Sequence, residues 1–304
     1  MVIFVKIKSF YMFSVEPGDV STKKFYGLVA SSVVPRPIAL ASTLNKEGVV
    51  NLSPFSCFNF FGVNPAILVF SPMRKISNTE TKHTLHNVEE TKEVVINVVN
   101  HDIVEQTSLA SAGYGDGVNE FEKAGLTMLE SDLVKPKRVA ESPIHYECKV
   151  NDIIYTGKGG GAPNLVICEV LKMHIKEEVM FADNKIDQAK LDPVGRMGGS
   201  WYTRANEGMF LRPKPTVPGI GVDQLPPVIK NSSILTGNDL GKLAGIVEFP
   251  KSESIGRFIE EKDLEEFIAD SSVEKIHAIA QEYLKKDDVE GAWHLLLAKT
   301  LKTI

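Results

Sequence analysis

Residues 33–72 read VVPRPIALASTLNKEGVVNLSPFSCFNFFGVNPAILVFSP, and this stretch decides the fold. β-Branched and aromatic residues lie between turn-forming residues, which is typical of successive strands. Pro35 is expected at the start of the first strand, because a proline inside a central strand cannot donate to the ladder. The tetrapeptide Asn45-Lys46-Glu47-Gly48 predicts a hairpin turn. A return strand is expected over residues 49–61, with a break at Pro54 that frees nearby backbone polar groups to face a ligand.

The chain beyond this stretch continues the same pattern. Short apolar runs predict further strands, and two short amphipathic runs predict helices before residue 212. The strands are expected at 66–71, 94–99, 144–156 and 165–175, and the helices at 84–91 and 103–110. Many short strands with two small helices favour a β-barrel over a doubly wound parallel sheet. The predicted fold class is therefore mainly β.

Composition changes near Arg212. Seven prolines and glycines follow within residues 213–227, which predicts an irregular arm. Further on, Ser271 and Glu274 have the spacing of a capping box, and apolar residues then repeat at helical spacing. A helical extension is expected there, either packed over the barrel or its partner, or serving as a docking surface.

These observations predict three parts. They are an N-terminal leader or arm at 1–19, a barrel at 20–212, and the arm with its helical extension at 213–304. The recognisable pattern begins just after Met12, so Met12 is a candidate for the true start.

Composition excludes several classes of protein. The 304 residues carry a net charge of -5, so a nucleic-acid role would need a local basic patch, whereas one bound phosphate group is compatible with this charge. Three widely spaced cysteines exclude a zinc ribbon, a four-cysteine cluster and a disulfide framework. All three are expected as small buried hydrophobes in a reducing cytoplasm. Because apolar runs stay below roughly 18 residues, no membrane span is expected.

Two apparent ligand motifs fail on their context. Residues 157–162, GKGGGA, match the dinucleotide fingerprint, but Pro163 and a strand follow where a helix is required. A flexible hairpin loop is therefore predicted. His83 and His86 are three residues apart at a helix start, and no third ligand is evident, so no metal site is predicted.

A polar cluster follows the predicted strand at 66–71. It supplies two cations, several hydroxyl groups and a helix N-terminus, which together suit a phosphate monoester. The cluster consists of Arg74, Ser77, Thr79, Thr81, Lys82, Thr84 and Asn87. The alternative is a polar loop that simply caps the helix.

At this point the sequence resembles a known family. Residues 33–72, the runs KHTLHNVEETKEVVINVV, NEFEKAGLT and ESPIHYECKV, and the segment DPVGRMGGSWYTR occur in order over about residues 20–205. They resemble the flavin reductase-like, FMN-binding split-barrel family. One departure is His83, which stands where that family commonly has an aspartate.

The resemblance implies a six-stranded Greek-key barrel that forms a homodimer, with FMN in a groove between subunits. FAD is less supported, because only one phosphate site is visible. Ser42 and Thr43 are implied near the flavin, and Phe58 or Phe121 over its ring, with ordinary core packing as the alternative for both phenylalanines. The other implied cofactor-binding residues are Asn51, Ser53, Ser56, Ser71, Arg74, Lys82, Thr84 and Asn87.

The activity implied by the resemblance is hydride transfer from NAD(P)H to flavin. Electrons then pass to a second flavin, an iron complex or a protein acceptor, and no conventional acid–base residue is expected. The alternatives are a flavoredoxin-like electron carrier between protein partners, which is not an enzyme, and a flavin-free barrel that acts as a scaffold.

Overall fold

The computed structural model describes residues 12–212 and 215–301. The chain divides into two compact units, Met1–Phe210 and Leu211–Ile304. The first eleven residues, with most of the predicted leader, lie outside the described part, as does Pro213 in the predicted arm. No helix in the described part is long and apolar enough to cross a membrane.

The first unit is built on one antiparallel sheet of seven strands. The strands are β1 (Ala39–Leu44), β2 (Val50–Phe55), β3 (Phe58–Val63), β4 (Ala66–Phe70), β5 (Glu93–Val98), β8 (Ile144–Tyr155) and β9 (Asn164–Ile175). Two small hairpins complete it: β6 (Met128–Leu129) with β7 (Arg138–Val139), and β10 (Val194–Arg196) with β11 (Tyr202–Arg204). The predicted count of six strands is therefore corrected to seven in the main sheet.

The order of the strands shows how the sheet curls. The order is β2-β1-β5-β8-β9-β4-β3, so β2 and β3 are the two opposite edges. Only Ser56 and Cys57 separate the end of β2 from the start of β3. Because two residues span at most roughly 7 Å beyond the strand ends, the sheet must bend until its edges approach each other. The result is a barrel that is split between β2 and β3.

Pro54 does not break the strand, contrary to the prediction. It lies inside β2 opposite Leu40, and the chain leaves the ladder two residues later, at Ser56. The physical reason is that β2 is an edge strand, where the nitrogen of a proline faces away from the sheet and no ladder hydrogen bond is lost.

The helices of the first unit lie around this sheet. They are α1 (Thr22–Ser32), α2 (His83–Thr91), α3 (Val104–Ala110), α4 (Glu120–Ala124) and α5 (Gln188–Leu191). The two predicted helices match α2 and α3. Helix α1 was not predicted from the sequence, and its first turn is capped by the Ser21 side chain.

Three apolar clusters stabilise the described part of the first unit, the smallest of them around Ile144, Val179 and Leu191. One fills the barrel, where Phe70, Val94, Ile96 and Val166 are fully buried. The second core lies between the sheet and helices α3 and α4, around Leu40 and Leu52.

The second unit is helical. Its helices are α6 (Pro227–Lys230), α7 (Gly237–Leu243), α8 (Ser252–Glu261), α9 (Glu265–Asp270), α10 (Val273–Lys285) and α11 (Val289–Leu301). The apolar face predicted for α10 is buried at Ile276 and Leu284. The N-cap of α10 is Ser272, which accepts a hydrogen bond from the Lys275 N–H, and not Ser271 as the capping-box pattern predicted.

Candidate functional site

Four of the predicted site residues form one buried polar cluster. Thr43 of β1 lies opposite Asn51 of β2 in the strand register, and the N-terminal turns of α2 bring Thr84 and Asn87 onto the same spot. The Asn51 amide donates to Thr43 Oγ1 at 3.3 Å and to Thr84 Oγ1 at 2.9 Å. The Asn87 amide donates to Thr43 Oγ1 at 3.0 Å. All four residues are buried, so these bonds fix α2 against the sheet.

Ser42 precedes this cluster on β1 and is fully buried. Its hydroxyl group has no hydrogen-bond partner among the described residues. Ser53 lies on β2 opposite Ala41 and is half-buried. Both serines therefore lie on the strands that carry the cluster.

A separate, largely apolar pocket of about 440 Å³ opens at the split in the barrel. Three of the predicted residues, Ser56, Phe58 and Ser71, line it. The facing wall comes from α1 and the segment after it, through Tyr26 and Val29 among others. Such a pocket has the size and character of a site for a flat organic ring.

Cys57 also lines this pocket and is exposed, which corrects the expectation that all three cysteines are buried. It lies in the link between the two edge strands, where the sheet cannot cover it. Cys148 and Cys168 are buried as expected, and burial holds the pKa of both thiols above the usual range.

Unpartnered polar atoms lie near the wall formed by the end of β4. Ser71 Oγ, Arg74 Nε and Asn164 Oδ1 are buried and have no hydrogen-bond partner among the described residues. Arg74 Nη1 is held by the Thr79 carbonyl oxygen at 3.0 Å, and the Asn164 amide donates to the Pro72 carbonyl oxygen at 2.9 Å. Because buried polar groups are normally satisfied, these atoms indicate a ligand with polar or anionic oxygens.

The N-terminus of α2 offers further donors for an anion. Its N-cap residue, Lys82, makes no side-chain capping bond, so the first backbone N–H groups of the helix lack a side-chain acceptor. Burial, followed by repulsion from Lys75, lowers the pKa of the Lys82 ammonium. A bound anion would accept hydrogen bonds from the uncapped helix end and would pair with the partly desolvated Lys82 ammonium.

Phe121 does not reach the pocket. It is 1% exposed and packs in the second core, with Leu52 and Val139. Its ring fills space between α4 and the sheet, which is the packing alternative considered for it. Phe58 is half-buried and lines the pocket while packing against the barrel core.

The glycine-rich loop supports the segment that carries Arg74. It connects the antiparallel strands β8 and β9, as the hairpin prediction required and unlike a dinucleotide-binding turn. Gly161 N donates to the Arg74 carbonyl oxygen, and Arg74 N donates to the Ala162 carbonyl oxygen, both at 3.0 Å. The sequence analysis assigned no role to this loop, and only its run of glycines signals such a close backbone approach.

A second, more polar cavity of about 370 Å³ is bordered by α2 and by the hairpin between β1 and β2. Asn51 and Asn87 border it, together with His83 and Asp116. His83 lies 2.6 Å from the Asp116 carboxylate, which gives this histidine a protein partner instead of a metal.

One group of side chains, Asp132, Glu147 and His174, has the spacing of metal ligands. However, the buried Glu147 carboxylate already accepts the backbone N–H groups of Asp132, Leu133 and Val134. Lys172 also occupies the Asp132 carboxylate. The group therefore acts as a clamp on the loop before β7.

The fold and site together define an antiparallel split barrel with a ring-sized apolar pocket and a neighbouring set of anion donors. The chain belongs to the flavin reductase like domain family, whose model matches residues 31–190. Membership of this family implies a flavin cofactor and flavin oxidoreductase chemistry, which the pocket and the unpartnered donors fit.

Individual relatives agree with this assignment. The chain is 31% identical to nitrilotriacetate monooxygenase component B from Bacillus cereus, with a TM-score of 0.62 over 67% of this chain and 100% of that one. For 2-nitrobenzoate 2-nitroreductase from Pseudomonas fluorescens the identity is 29% and the TM-score 0.61, over 69% and 100% of the two chains. An uncharacterized protein of Halalkalibacterium halodurans is 36% identical over 203 residues, which cover 66% of this chain and 96% of that protein.

Proposed function

We propose that the protein binds FMN at the split of the barrel and reduces it with NAD(P)H. The observation that carries the proposal is the apolar pocket with the unpartnered buried donors Ser71 Oγ and Arg74 Nε. An apolar wall beside a cationic, hydroxyl-bearing pole matches the two ends of a flavin mononucleotide.

In this proposal Ser71, Arg74 and Lys82 bind the phosphate, with the uncapped N-terminus of α2. Ser56 and Phe58 receive the ring against the wall formed by α1. The remaining predicted residues lie behind this surface, where Thr43, Asn51, Thr84 and Asn87 fix α2 relative to β1 and β2. We leave Phe121 out of the proposed site, because its ring is buried in the second core.

FMN is favoured over FAD by the number of anion sites. Among the residues that the structure describes, the buried cationic side chain with an unpartnered nitrogen is Arg74, and the uncapped helix end of α2 supports the same pole. A dinucleotide would need a second site of this kind, and the glycine-rich loop is a hairpin turn and not a phosphate-binding turn.

When bound, the flavin ring supplies the hydride-accepting chemistry. The chain's own task is to orient the ring and to keep water from one of its faces. Among the described residues that line the pocket, Cys57, Arg36 and Tyr26 carry titratable groups. Although Cys57 as a residue is exposed, partial desolvation of its thiol outweighs the nearby Arg36 cation and raises the pKa, which leaves the thiol protonated and unsuited to act as a base at neutral pH. The lining therefore fits a reaction that needs no acid–base side chain.

A second copy of the chain is the partner we propose at the split. β3 is an edge strand, and its Phe60, Phe61 and Val63 are 67%, 68% and 81% exposed. Large exposed hydrophobic residues on an edge strand favour association with another chain, and proteins usually cover them. A homodimer would cover them and close the pocket from the outside.

The relatives support a proposal for the electron acceptor. Similarity to a monooxygenase component suggests that reduced flavin is delivered to a partner enzyme. The alternative is a flavoredoxin-like carrier, which exchanges electrons with proteins and does not react with nicotinamide.

An anaerobic spectrum distinguishes these two functions. We expect the FMN-loaded protein to lose its visible flavin absorbance when NADH or NADPH is added without oxygen. Bleaching by a reduced protein donor, with no response to either nicotinamide, would favour the carrier. Uptake of no flavin at all would contradict both functions.

A further inference from the structure

Helix α1 is attached to the first unit in an uncommon way. It runs from Thr22 to Ser32 and contains no buried residue, although Tyr26 and Val29 form part of the pocket wall. Hydrophobic burial therefore contributes little to holding it in place, because that contribution scales with the apolar area removed from water. Its position must depend on a few specific contacts.

Arg36 supplies two side-chain hydrogen bonds to the end of α1. Its Nη1 donates to the carbonyl oxygens of Ala30 and, at 2.8 Å, Val33, at the end of α1. Its Nη2 donates to the Met197 carbonyl oxygen at 3.2 Å, and its Nε to Ser56 Oγ at 3.4 Å. All three guanidinium nitrogens are thus used, and they reach three separate segments of the chain.

The bonds to α1 are favourable for a general reason. The last carbonyl groups of a helix lack partners within the helix, and a cation near them interacts well with the helix dipole. The planar fork of arginine can serve several acceptors in fixed directions, whereas a lysine offers one flexible ammonium group.

The backbone of Arg36 is fixed independently of its side chain. Arg36 N donates to the Arg196 carbonyl oxygen at 3.0 Å, and Arg196 N donates to the Arg36 carbonyl oxygen at 2.9 Å. A substitution at residue 36 therefore removes the side-chain bridge and leaves the bridge between the two backbone segments in place.

Two of the segments that Arg36 joins line the pocket. Ala30 and Val33 belong to the α1 wall, and Ser56 belongs to the link between β2 and β3. We infer that Arg36 is a positioning residue that sets the distance between these two segments and thereby the affinity for the flavin ring. This inference rests on the proposed function, because it takes the pocket to be the ring site.

The test compares Arg36→Met and Arg36→Lys with Lys24→Met, which removes an exposed cation from the same helix. Hydrogen exchange of residues 22–33 is measured without flavin, and FMN affinity is measured by quenching of flavin fluorescence.

We expect both Arg36 variants to exchange faster in α1 and to bind FMN at least about tenfold more weakly, a loss that corresponds to about 1.4 kcal/mol. The melting temperature of both Arg36 variants checks that they fold, and every property of Lys24→Met should stay close to that of the unchanged protein.

The outcomes separate the inference from the proposed function. Unchanged exchange in α1, or faster exchange with unchanged FMN affinity, would overturn the role of Arg36 while the unchanged protein still binds FMN. A fully restored affinity in Arg36→Lys would also overturn it, since a single ammonium group cannot form the bridge. If the unchanged protein binds no FMN, the proposed function fails, and the assignment of Arg36 to a flavin pocket fails with it.

Discussion

Gly160 lies against the backbone of Ile76, so closely that a Cβ atom at residue 160 would be 2.7 Å from the Ile76 carbonyl oxygen. Ile76 belongs to the segment that begins at Arg74, and the glycine-rich loop is bonded to Arg74 through the backbone of Gly161 and Ala162. The close approach explains why a glycine is needed at this point of the loop. It also connects a motif that resembles a nucleotide fingerprint to the proposed phosphate site, through packing and the two backbone hydrogen bonds to Arg74.

Gly160→Ala should therefore weaken FMN binding. The new methyl group would displace the Ile76 backbone and with it Arg74, and we expect about a tenfold loss of affinity from a shift of this kind. Gly159→Ala is the matched control, because a Cβ there meets nothing within 4 Å. Equal FMN affinity in the two variants would show that the loop does not support the site.

Thr43→Val tests the buried polar cluster. The substitution removes the acceptor of the Asn51 and Asn87 amides and leaves both donors buried without it. We expect the free energy of unfolding of the first unit to fall by about 1–3 kcal/mol, as for other buried groups that lose a partner. Thr43→Ser keeps the hydroxyl group and should lose less than Thr43→Val in urea unfolding. A valine variant as stable as the serine variant would contradict the role given to the cluster.

Glu147→Gln tests the loop clamp. One carboxylate oxygen that now accepts backbone N–H groups would be replaced by an NH2 group that faces donors. We expect a loss of about 2–3 kcal/mol in the free energy of unfolding, the range for buried hydrogen bonds to charged groups. Glu130→Gln, at a side chain that is 82% exposed, should change it by less than about 0.5 kcal/mol. A stable Glu147 variant with a normally protected loop would contradict this account.

His145 should make the first unit less stable in acid. Burial, reinforced by the nearby cations Arg138, His174 and Lys176, lowers the pKa of His145 to about 4. In the unfolded chain this histidine binds a proton near pH 6.5, where the folded chain does not. The stability that comes from keeping His145 neutral is therefore fully present above pH 6.5 and is lost as the pH falls toward 4. Urea unfolding of His145→Gln from pH 7.5 to 4.5 should show a smaller decrease in stability than the unchanged protein shows. Identical slopes would contradict the prediction.

The features that local sequence could predict were those with local causes. The hairpin at Asn45 to Gly48, the helix after Lys82 and the strands around Ile96 and Val166 follow from turn residues and apolar spacing. Thr43, which pairs with Asn51 across that hairpin, was expected near the flavin only through the family resemblance.

The features that were missed depend on distant partners. Helix α1 is placed by Arg36 and not by its own hydrophobic face, and the order of the sheet makes Pro54 an edge residue. The burial of Phe121 depends on where α4 packs, and the unpartnered Asn164 comes near Ser71 only because β9 pairs with β4. The spacing of residues along the sequence does not predict any of these contacts between distant segments.

Titration of FMN into the flavin-free protein, followed by flavin fluorescence, tests the central claim most directly when Arg74→Met is measured beside it. The account predicts saturable binding of one FMN per chain, and about tenfold weaker binding or worse in Arg74→Met, since the variant lacks the buried guanidinium donor. Binding that does not saturate, or an Arg74→Met affinity equal to that of the unchanged protein, would contradict it.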